Sequence, residues 1–515
     1  MLSKYNLVLF FFFILNVYLF YDLNGHWSQY VDSEIIWPYN SLLILSGYKV
    51  EFIEFGSIYY ILLSIYQYLL NFFNISNIQN LDSVLDSNNF SQIMQELIFF
   101  TRLFTAVLGF IFLIIIKKIF YKITKNEEIS LILTILLFYS PGFIIAMSHS
   151  RADFVSVLFL ILFLYNLIIF VENKNNKIKY LFYCFLFINF SILAKIQVFF
   201  YFPWLLLMVL FFCKISLPSF DNNLYHKKFY FYGATLLLIF VLVYPLINLR
   251  YTKLSILFLY YQLFFFNFIF FFYIKFYKNL DSKIHVLYFI FKYNFILIVT
   301  YLGCFIFFSS LPFLENTLII KLTYLDPTSI LQFSDNDSFH KANDQFNVER
   351  LFSILDTINS NILKIIKFYL FSLNFQSILI YIILLVYFLT FKAQNIQTKI
   401  STPIIFLIFF LINFINSIRT NEVYYLYFIF SDFLLLILLT INLNYIKSNK
   451  ILITSIFSLS IIFLVTFNLF NLNIVHYNYD NFNKRNEIKY WCKQKYVENF
   501  AKKLTSKFYS YCEEL

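Results

Sequence analysis

Residues 56–73 have the sequence GSIYYILLSIYQYLLNFF, and the topology of the whole chain depends on whether this stretch crosses a membrane. Its length approaches the roughly 20 apolar residues that a transmembrane helix needs. Because each crossing moves the chain to the opposite side, counting this stretch as a span reverses the side of every later loop. The charges of the flanking sequence decide between the two placements.

The composition limits the class of protein. The chain has 515 residues, of which 61% are hydrophobic, 13% are charged and 74 are Phe. With a mean hydropathy of +0.73 it is far more apolar than soluble globular domains. Apolar runs of nearly spanning length recur from end to end between short polar loops, which favours helices over alternating barrel strands. The sequence therefore predicts an all-α, multi-pass membrane protein.

The segment 22–96, here called the first loop, contains the ambiguous stretch and is acidic. It holds eight carboxylates and a single base, Lys49. The carboxylates are Asp22, Asp32, Glu34, Glu51, Glu54, Asp82, Asp86 and Glu96. Because Lys and Arg favour cytoplasmic loops, the first loop is expected outside. We predict that 56–73 lies along the outer interface or re-enters there, and that residues 26–47 form an amphipathic helix.

With this choice the basic loops all fall on the cytoplasmic side. The predicted cytoplasmic loops are 117–125, 172–179, 214–228, 275–283, 392–399 and 447–450. The predicted external segments are 148–151, 194–197, 250–253, 312–363 and 419–422. The result is a transmembrane domain over 1–471 with about 13 helices and a cytoplasmic N-terminus, followed by an external tail over 472–515. The net charge of +11 then reflects orientation, and no nucleic-acid partner is expected.

The charges on the outer side are sparse and stand at helix ends. Asp32 and Glu34 open the first loop, SHSRADF (148–154) carries His149, Arg151 and Asp153, and Lys195 ends a later apolar run. A charge near hydrocarbon costs a few kcal/mol unless it is paired or hydrated, so such a set indicates a site. Arg151 and Lys195 are suited to bind a phosphate, and Asp32 to take a proton from an incoming hydroxyl or amine. The alternative for Arg151 and Asp153 is an ion pair that only fixes two helices.

The order of these motifs resembles that of a known family. The motifs are DSEIIWPYNSLLILSG (32–47), Arg102, KKIFYK (117–122), YSPGFIIAMSHSRADF (139–154), SILAKIQ (191–197) and RTNEVYYLYFIF (419–430). The sequence resembles the GT-C superfamily of membrane glycosyltransferases that use polyprenyl-phosphate sugars, in particular the protein O-mannosyltransferases and lipid A aminoarabinose transferases. The likeness covers about the first 210 residues by motif and the remainder by architecture only.

The resemblance implies a role for each candidate residue. Asp32 is the expected general base in an inverting transfer, and Glu34 orients the acceptor or shares that role. The expected phosphate ligands are Arg151, Lys195, Arg102 and Arg419. Asp153 pairs with Arg151 or faces the acceptor, and His149 is a further substrate-binding candidate.

The resemblance also implies the partners. The donor is a polyprenyl-phosphate-linked sugar, the acceptor is a lipid, glycan or protein, and the location is the bacterial inner membrane rather than the endoplasmic reticulum. The scheme needs no metal, although the carboxylates leave a divalent ion open. Two alternatives remain: a transporter or flippase for an envelope lipid or glycan, which favours charges in mid-helix, and a glycan polymerase, which favours Arg and His in a large external loop.

Overall fold

The computed structural model describes the chain in separate stretches. They are 4–20, 35–51, 57–148, 152–172, 178–195, 283–314, 359–372, 374–392, 396–420, 428–443 and 501–513, with isolated positions between 198 and 268 and at 394. Regular structure in these stretches is helical and none of them contains a β-strand, so the predicted all-α class is confirmed over this part of the chain.

The described helices are numbered here in chain order. They are α1 (Lys4–Phe20), α2 (Ile36–Leu45), α3 (Ser57–Phe72), α4 (Leu81–Leu85), α5 (Phe90–Thr124), α6 (Glu127–Phe138), α7 (Pro141–Ser148), α8 (Ala152–Glu172), α9 (Ile178–Ala194), α10 (Lys283–Ser310), α11 (Asn359–Phe371), α12 (Phe375–Thr390), α13 (Ile396–Thr420), α14 (Ile429–Leu443) and α15 (Thr505–Glu513). Short 3-10 turns lie at Pro312–Leu314 and Lys502–Leu504.

Two of these helices, α5 and the Ala152–Phe170 part of α8, are long and apolar enough to cross a membrane. A third candidate is the pair α11 and α12, which is bent by 68° at its break. These counts cover only the described stretches. The predicted total of about 13 spans therefore stays a prediction.

Helices α1 and α5 pack antiparallel. Lys117 Nζ, near the end of α5, donates a hydrogen bond of 2.8 Å to Asn6 Oδ1, near the start of α1. Farther along, the rings of Phe10 and Phe13 each lie 5.3 Å from the ring of Phe110. Residue numbers rise along α1 while they fall along α5. The chain between the two helices thus leaves and returns at the same end of the pair.

Helix α5 continues to Thr124, so the predicted loop 117–125 is helical over most of its length, while its cytoplasmic side stays a prediction. Lys117 is buried, and its ammonium lies 3.0 Å from Glu127 Oε2, so the helices balance the charge without an open loop. The connection is the two-residue turn Lys125–Asn126, with Lys125 in the left-handed region at φ 53°. The Asn126 side chain then accepts the N–H of Glu128 and caps α6.

Helix α2 is buried on nearly all sides, which differs from the amphipathic helix predicted for 26–47. Its residues from Ile36 to Leu43 are all buried, including the polar Asn40 and Ser41. The reason is that α2 is covered from several directions, by α3, by α4 and by the segment 501–513. Gly47, at φ 73°, ends the helix in the left-handed conformation that suits glycine.

Helix α3, unlike α2, has one buried and one exposed face. Tyr59, Tyr60 and Leu63 are buried against the bundle, whereas Tyr68 and Phe72 are 59% and 66% exposed. Its 16 residues contain no charged side chain. An uncharged helix whose exposed face is apolar is suited to contact with lipid.

Candidate functional site

The first loop contacts the rest of the bundle through one hydrophobic group, here called the first-loop cluster. Its buried members come from α2, α3, α5, α8, α9 and α10: Ile36, Trp37, Val50, Ile58, Tyr59, Tyr60, Leu63, Phe104, Ala152, Val155, Leu193, Ala194, Cys304, Phe308 and Leu314. Two hydrogen bonds reinforce it, from Ser57 Oγ to the Leu193 carbonyl at 3.3 Å and from the Val50 N–H to the Phe313 carbonyl at 3.1 Å. The start of α8 and the ends of α9 and α10 therefore lie against the first loop.

Asp153 and Lys195 form a buried ion pair next to this cluster. Lys195 Nζ lies 2.9 Å from Asp153 Oδ1, and each side chain is only 2% exposed. Their neighbours in sequence, Ala152 and Ala194, belong to the first-loop cluster. From the sequence, Lys195 was predicted to bind the donor phosphate, and Asp153 to pair with Arg151 or to face the acceptor. In the structure the two residues balance each other.

The pairing follows from the way α8 and α9 are joined. The two helices form an antiparallel hairpin, in which the hydroxyls of Ser156 and Ser191 each donate to the other's carbonyl oxygen, at 2.8 and 2.6 Å. An antiparallel hairpin places the first turn of one helix beside the last turn of the other. Asp153 and Lys195 occupy those turns, so each neutralises a charge that is costly to bury alone.

Arg102 is almost completely buried in α5, at 1% exposure. It lies ten residues, or about three helical turns, before Phe112, whose ring is 5.7 Å from that of Phe154. The ring contact between α5 and α8 places Phe112 beside the first turn of α8. Phe104, two residues after Arg102, belongs to the first-loop cluster, so this part of α5 lies against the first loop. The predicted role of Arg102 as a phosphate ligand stays a prediction.

The other candidates fall wholly or partly outside the described residues. Asp32, Glu34, His149 and Arg151 are among these, so the predicted meeting of the carboxylates with Arg151 stays a prediction. Arg419 belongs to α13, close to its end, but its side chain is outside the described part. Within the described stretches no group of three His, Cys, Asp or Glu residues is placed to hold a metal ion.

A buried carboxylate that the sequence analysis missed is Asp432, in the first turn of α14. Its side chain is 0% exposed, and it accepts hydrogen bonds from the Gly142 N–H at 3.2 Å and from Gln376 Nε2 at 3.2 Å. The Ser140 hydroxyl, at the break between α6 and α7, also bonds to it. The sequence could have indicated this buried carboxylate, because Asp432 is a lone acid in the apolar run YFIFSDFLLL (427–436).

Comparisons with known proteins were made at three levels. No family model, curated protein or solved structure matches the chain. The assignment of function therefore rests on the sequence motifs and on the geometry described above.

Proposed function

We propose that this chain is a multi-pass membrane glycosyltransferase of the GT-C type. It moves a sugar from a polyprenyl-phosphate donor to an acceptor on the face of the membrane away from the cytosol. The donor is the sugar-linked lipid itself, the acceptor is a lipid, glycan or protein, and the membrane is the bacterial inner membrane.

One observation carries the proposal. The first-loop helices α2 and α3 pack against the start of α8 and the end of α9, where the charged residues of the later motifs stand. Residues 32–34 directly precede α2, and Arg151 directly precedes α8. The elements that carry the predicted carboxylates and the predicted phosphate ligands are thus neighbours, as the transfer chemistry requires.

The proposed step is a single displacement. The Asp32 carboxylate takes the proton of the acceptor hydroxyl or amine, and the acceptor atom bonds to the anomeric carbon from the face opposite the phosphate. The bond between the anomeric carbon and the phosphate oxygen breaks, and the lipid phosphate leaves with the electron pair. Arg151 stabilises the negative charge that develops on this leaving group. Lys195 contributes to this role if its pair with Asp153 opens.

The topology that the function needs is supported by the pairing of α1 with α5. A first loop that leaves and returns at one end of this pair needs an even number of crossings. Helix α2, at 10 residues, is too short to span by itself, which supports a placement in which α3 does not span either. We place α3 along the outer interface, with its exposed apolar face in the lipid.

The test is substitution of the proposed base. In Asp32→Asn the side chain keeps its size but no longer accepts the proton, and we expect transfer to fall by about 100- to 10,000-fold. Mass spectrometry of glycans and lipids from cells that lack the protein, or that produce the parent or the variant, detects the added sugar. Asp82→Asn is the matched control, since Asp82 is an exposed acid of the same loop. Normal transfer by Asp32→Asn removes Asp32 as the base.

A second candidate function, a transporter or flippase for an envelope lipid or glycan, is suggested by Asp432. It lies in the first turn of α14 rather than in mid-helix, but a carboxylate buried between helices is suited to bind an ion or a polar group on a pathway. This carboxylate is buried among α7, α12 and α14, and it has no ion-pair partner in the described part of the chain. Purified protein in liposomes that contain a fluorescent polyprenyl phosphate tests this function. Lipid flipping that is lost in Asp432→Asn supports the transporter, and the absence of flipping by the parent protein excludes it.

A further inference from the structure

The segment Ala501–Glu513, here called the latch, packs on the first loop although it is far away in sequence. Ala501, Leu504 and Phe508 are buried in a hydrophobic cluster with residues of α2, α4 and α5: Tyr39, Leu42, Leu43, Ile78, Leu81, Val84, Phe90, Met94, Leu97 and Ile98. The contact is therefore a small core built from two distant parts of the chain.

Polar contacts fix the latch at defined positions of the first loop. The Lys502 N–H donates to Glu51 Oε2 at 2.9 Å, and the Lys503 N–H donates to the Tyr39 hydroxyl at 3.2 Å. In the middle of the latch, Lys507 Nζ donates to the Ser87 carbonyl at 3.3 Å. The first half of the segment is thus attached to the first loop at separate points.

The charges of the two partners are complementary. The latch carries Lys502, Lys503, Lys507 and one acid, Glu513, whereas the first loop has eight carboxylates and one base. The Lys503 ammonium also lies 3.1 Å from the centre of the Tyr48 ring. A basic segment on an acidic, aromatic surface is attracted by charge and by cation–π contact.

Tyr39 connects the latch to the start of α2. Its hydroxyl accepts from Lys503 and hydrogen-bonds the Glu51 carboxylate. Burial, together with the neighbouring Glu51, raises the pKa of Tyr39 above its ordinary value, so the hydroxyl keeps its proton and remains a donor. Tyr39 lies one turn after Ile35, to whose carbonyl its N–H is bonded at 3.1 Å, and residues 32–34 come directly before Ile35.

We propose that the latch holds α2 in place, and that Tyr39 and Glu51 are positioning residues through which it orients the acidic segment 32–34. The docking itself stands on the contacts above. Its effect on catalysis rests on the proposed function.

Cross-linking tests the docking in the full-length protein. The five native cysteines are replaced, and Ser87→Cys is combined with Lys507→Cys for treatment of membranes with a short bis-methanethiosulfonate reagent, which forms one disulfide with each cysteine and releases sulfinate. We expect a cross-link for this pair and none for Lys118→Cys with Lys507→Cys, because Lys118 is exposed near the opposite end of α5. A missing cross-link in the first pair, or an equal one in the second, overturns the latch.

Two further substitutions separate the specific contact from general misfolding. Glu51→Ala removes the acceptor of the Lys502 N–H and should slow cross-linking about tenfold, whereas Glu51→Gln keeps an acceptor oxygen and should restore it. Cross-linking that is unchanged in Glu51→Ala and in Phe508→Ala shows that these contacts do not hold the segment, and rejects the proposal.

Tyr39→Phe tests the effect on catalysis, since it removes the hydroxyl and keeps the buried ring. We expect kcat per folded molecule to fall about fivefold, with the KM for the lipid-linked sugar unchanged, because orientation rather than donor binding is altered. An unchanged kcat rejects the positioning role. If the cross-links form as expected and the parent transfers no sugar, the docking stands and the glycosyltransferase proposal fails.

Discussion

At the scale of single residues, burial and close contact decide which positions tolerate change. Gly142 shows this most sharply, because it starts α7 directly against α14. A Cβ atom there would lie 2.4 Å from the Ile429 nitrogen and 2.8 Å from Asp432 Oδ2. Glycine is therefore required for the backbone to come close enough to donate to Asp432.

Gly142→Ala is expected to destabilise the protein by about 1 to 3 kcal/mol, since the clash is with backbone atoms that cannot move aside. The matched control is Gly303→Ala in α10, where no atom lies within 4 Å of the added Cβ. There alanine should be neutral or stabilising by up to about 1 kcal/mol. Thermal unfolding of the two variants in detergent measures the difference, and equal melting temperatures contradict the described packing.

The buried pair of Asp153 and Lys195 gives a second prediction at this scale. Lys195→Met should cost about 3 to 5 kcal/mol, because it leaves a buried carboxylate without its partner. Adding Asp153→Asn removes that charge and should recover most of the loss. If the double variant is as unstable as the single one, the two residues are not an energetic pair. If it is stable but inactive in sugar transfer, Lys195 also acts on the donor phosphate.

At the scale of elements, the sequence predicted where helices lie better than where they stop. The break at Ser140–Pro141 lies within reach of a local rule, because proline is disfavoured inside a helix and tolerated in its first turn. The extension of α5 through 117–124 follows from no local rule, because the buried pair of Lys117 with Glu127 depends on packing. The Asp153–Lys195 pair lay within reach of sequence reasoning, since a short hairpin of α8 and α9 brings those two turns together.

The placement of α3 is tested by cysteine labelling of the elements next to it. Asp82→Cys, on exposed α4, should react with a membrane-impermeant maleimide in intact cells, because the first loop leaves and returns on the outside. Lys118→Cys, exposed near the end of α5, should react only after permeabilisation. The reverse pattern contradicts the predicted orientation, and labelling of both positions on the same side contradicts the pairing of α1 with α5.

At the scale of the whole molecule, the contacts define two opposite ends. The start of α1, the end of α5 and the start of α6 meet through Lys117 at one end. The first loop, the end of α9, the turn at Pro312–Leu314 and the latch meet at the other. Because the described chain starts at one end and reaches the latch at the other, we expect an odd number of crossings between them. The total of about 13 spans stays a prediction.

An odd number of membrane crossings predicts that two exposed residues lie on opposite sides of the membrane. In a variant without other cysteines, Ser510→Cys in the latch should react with the impermeant maleimide in intact cells. Lys4→Cys, at the start of α1, should react only after the membrane is opened. Reaction of both residues from the same side means an even number of crossings and overturns the arrangement of the two ends.

The attachment of the latch has a consequence for how the protein is made. Lys503 lies 464 residues after Tyr39 in the chain and is therefore synthesised much later. At about 5 to 20 residues per second, the ribosome needs roughly 20 to 90 s to supply the missing partner. Until then, Leu42, Leu43 and Leu81 lack part of their apolar cover. If synthesis stops before the latch is made, the protein exposes this apolar surface. Chaperones and membrane proteases are suited to recognise such a form.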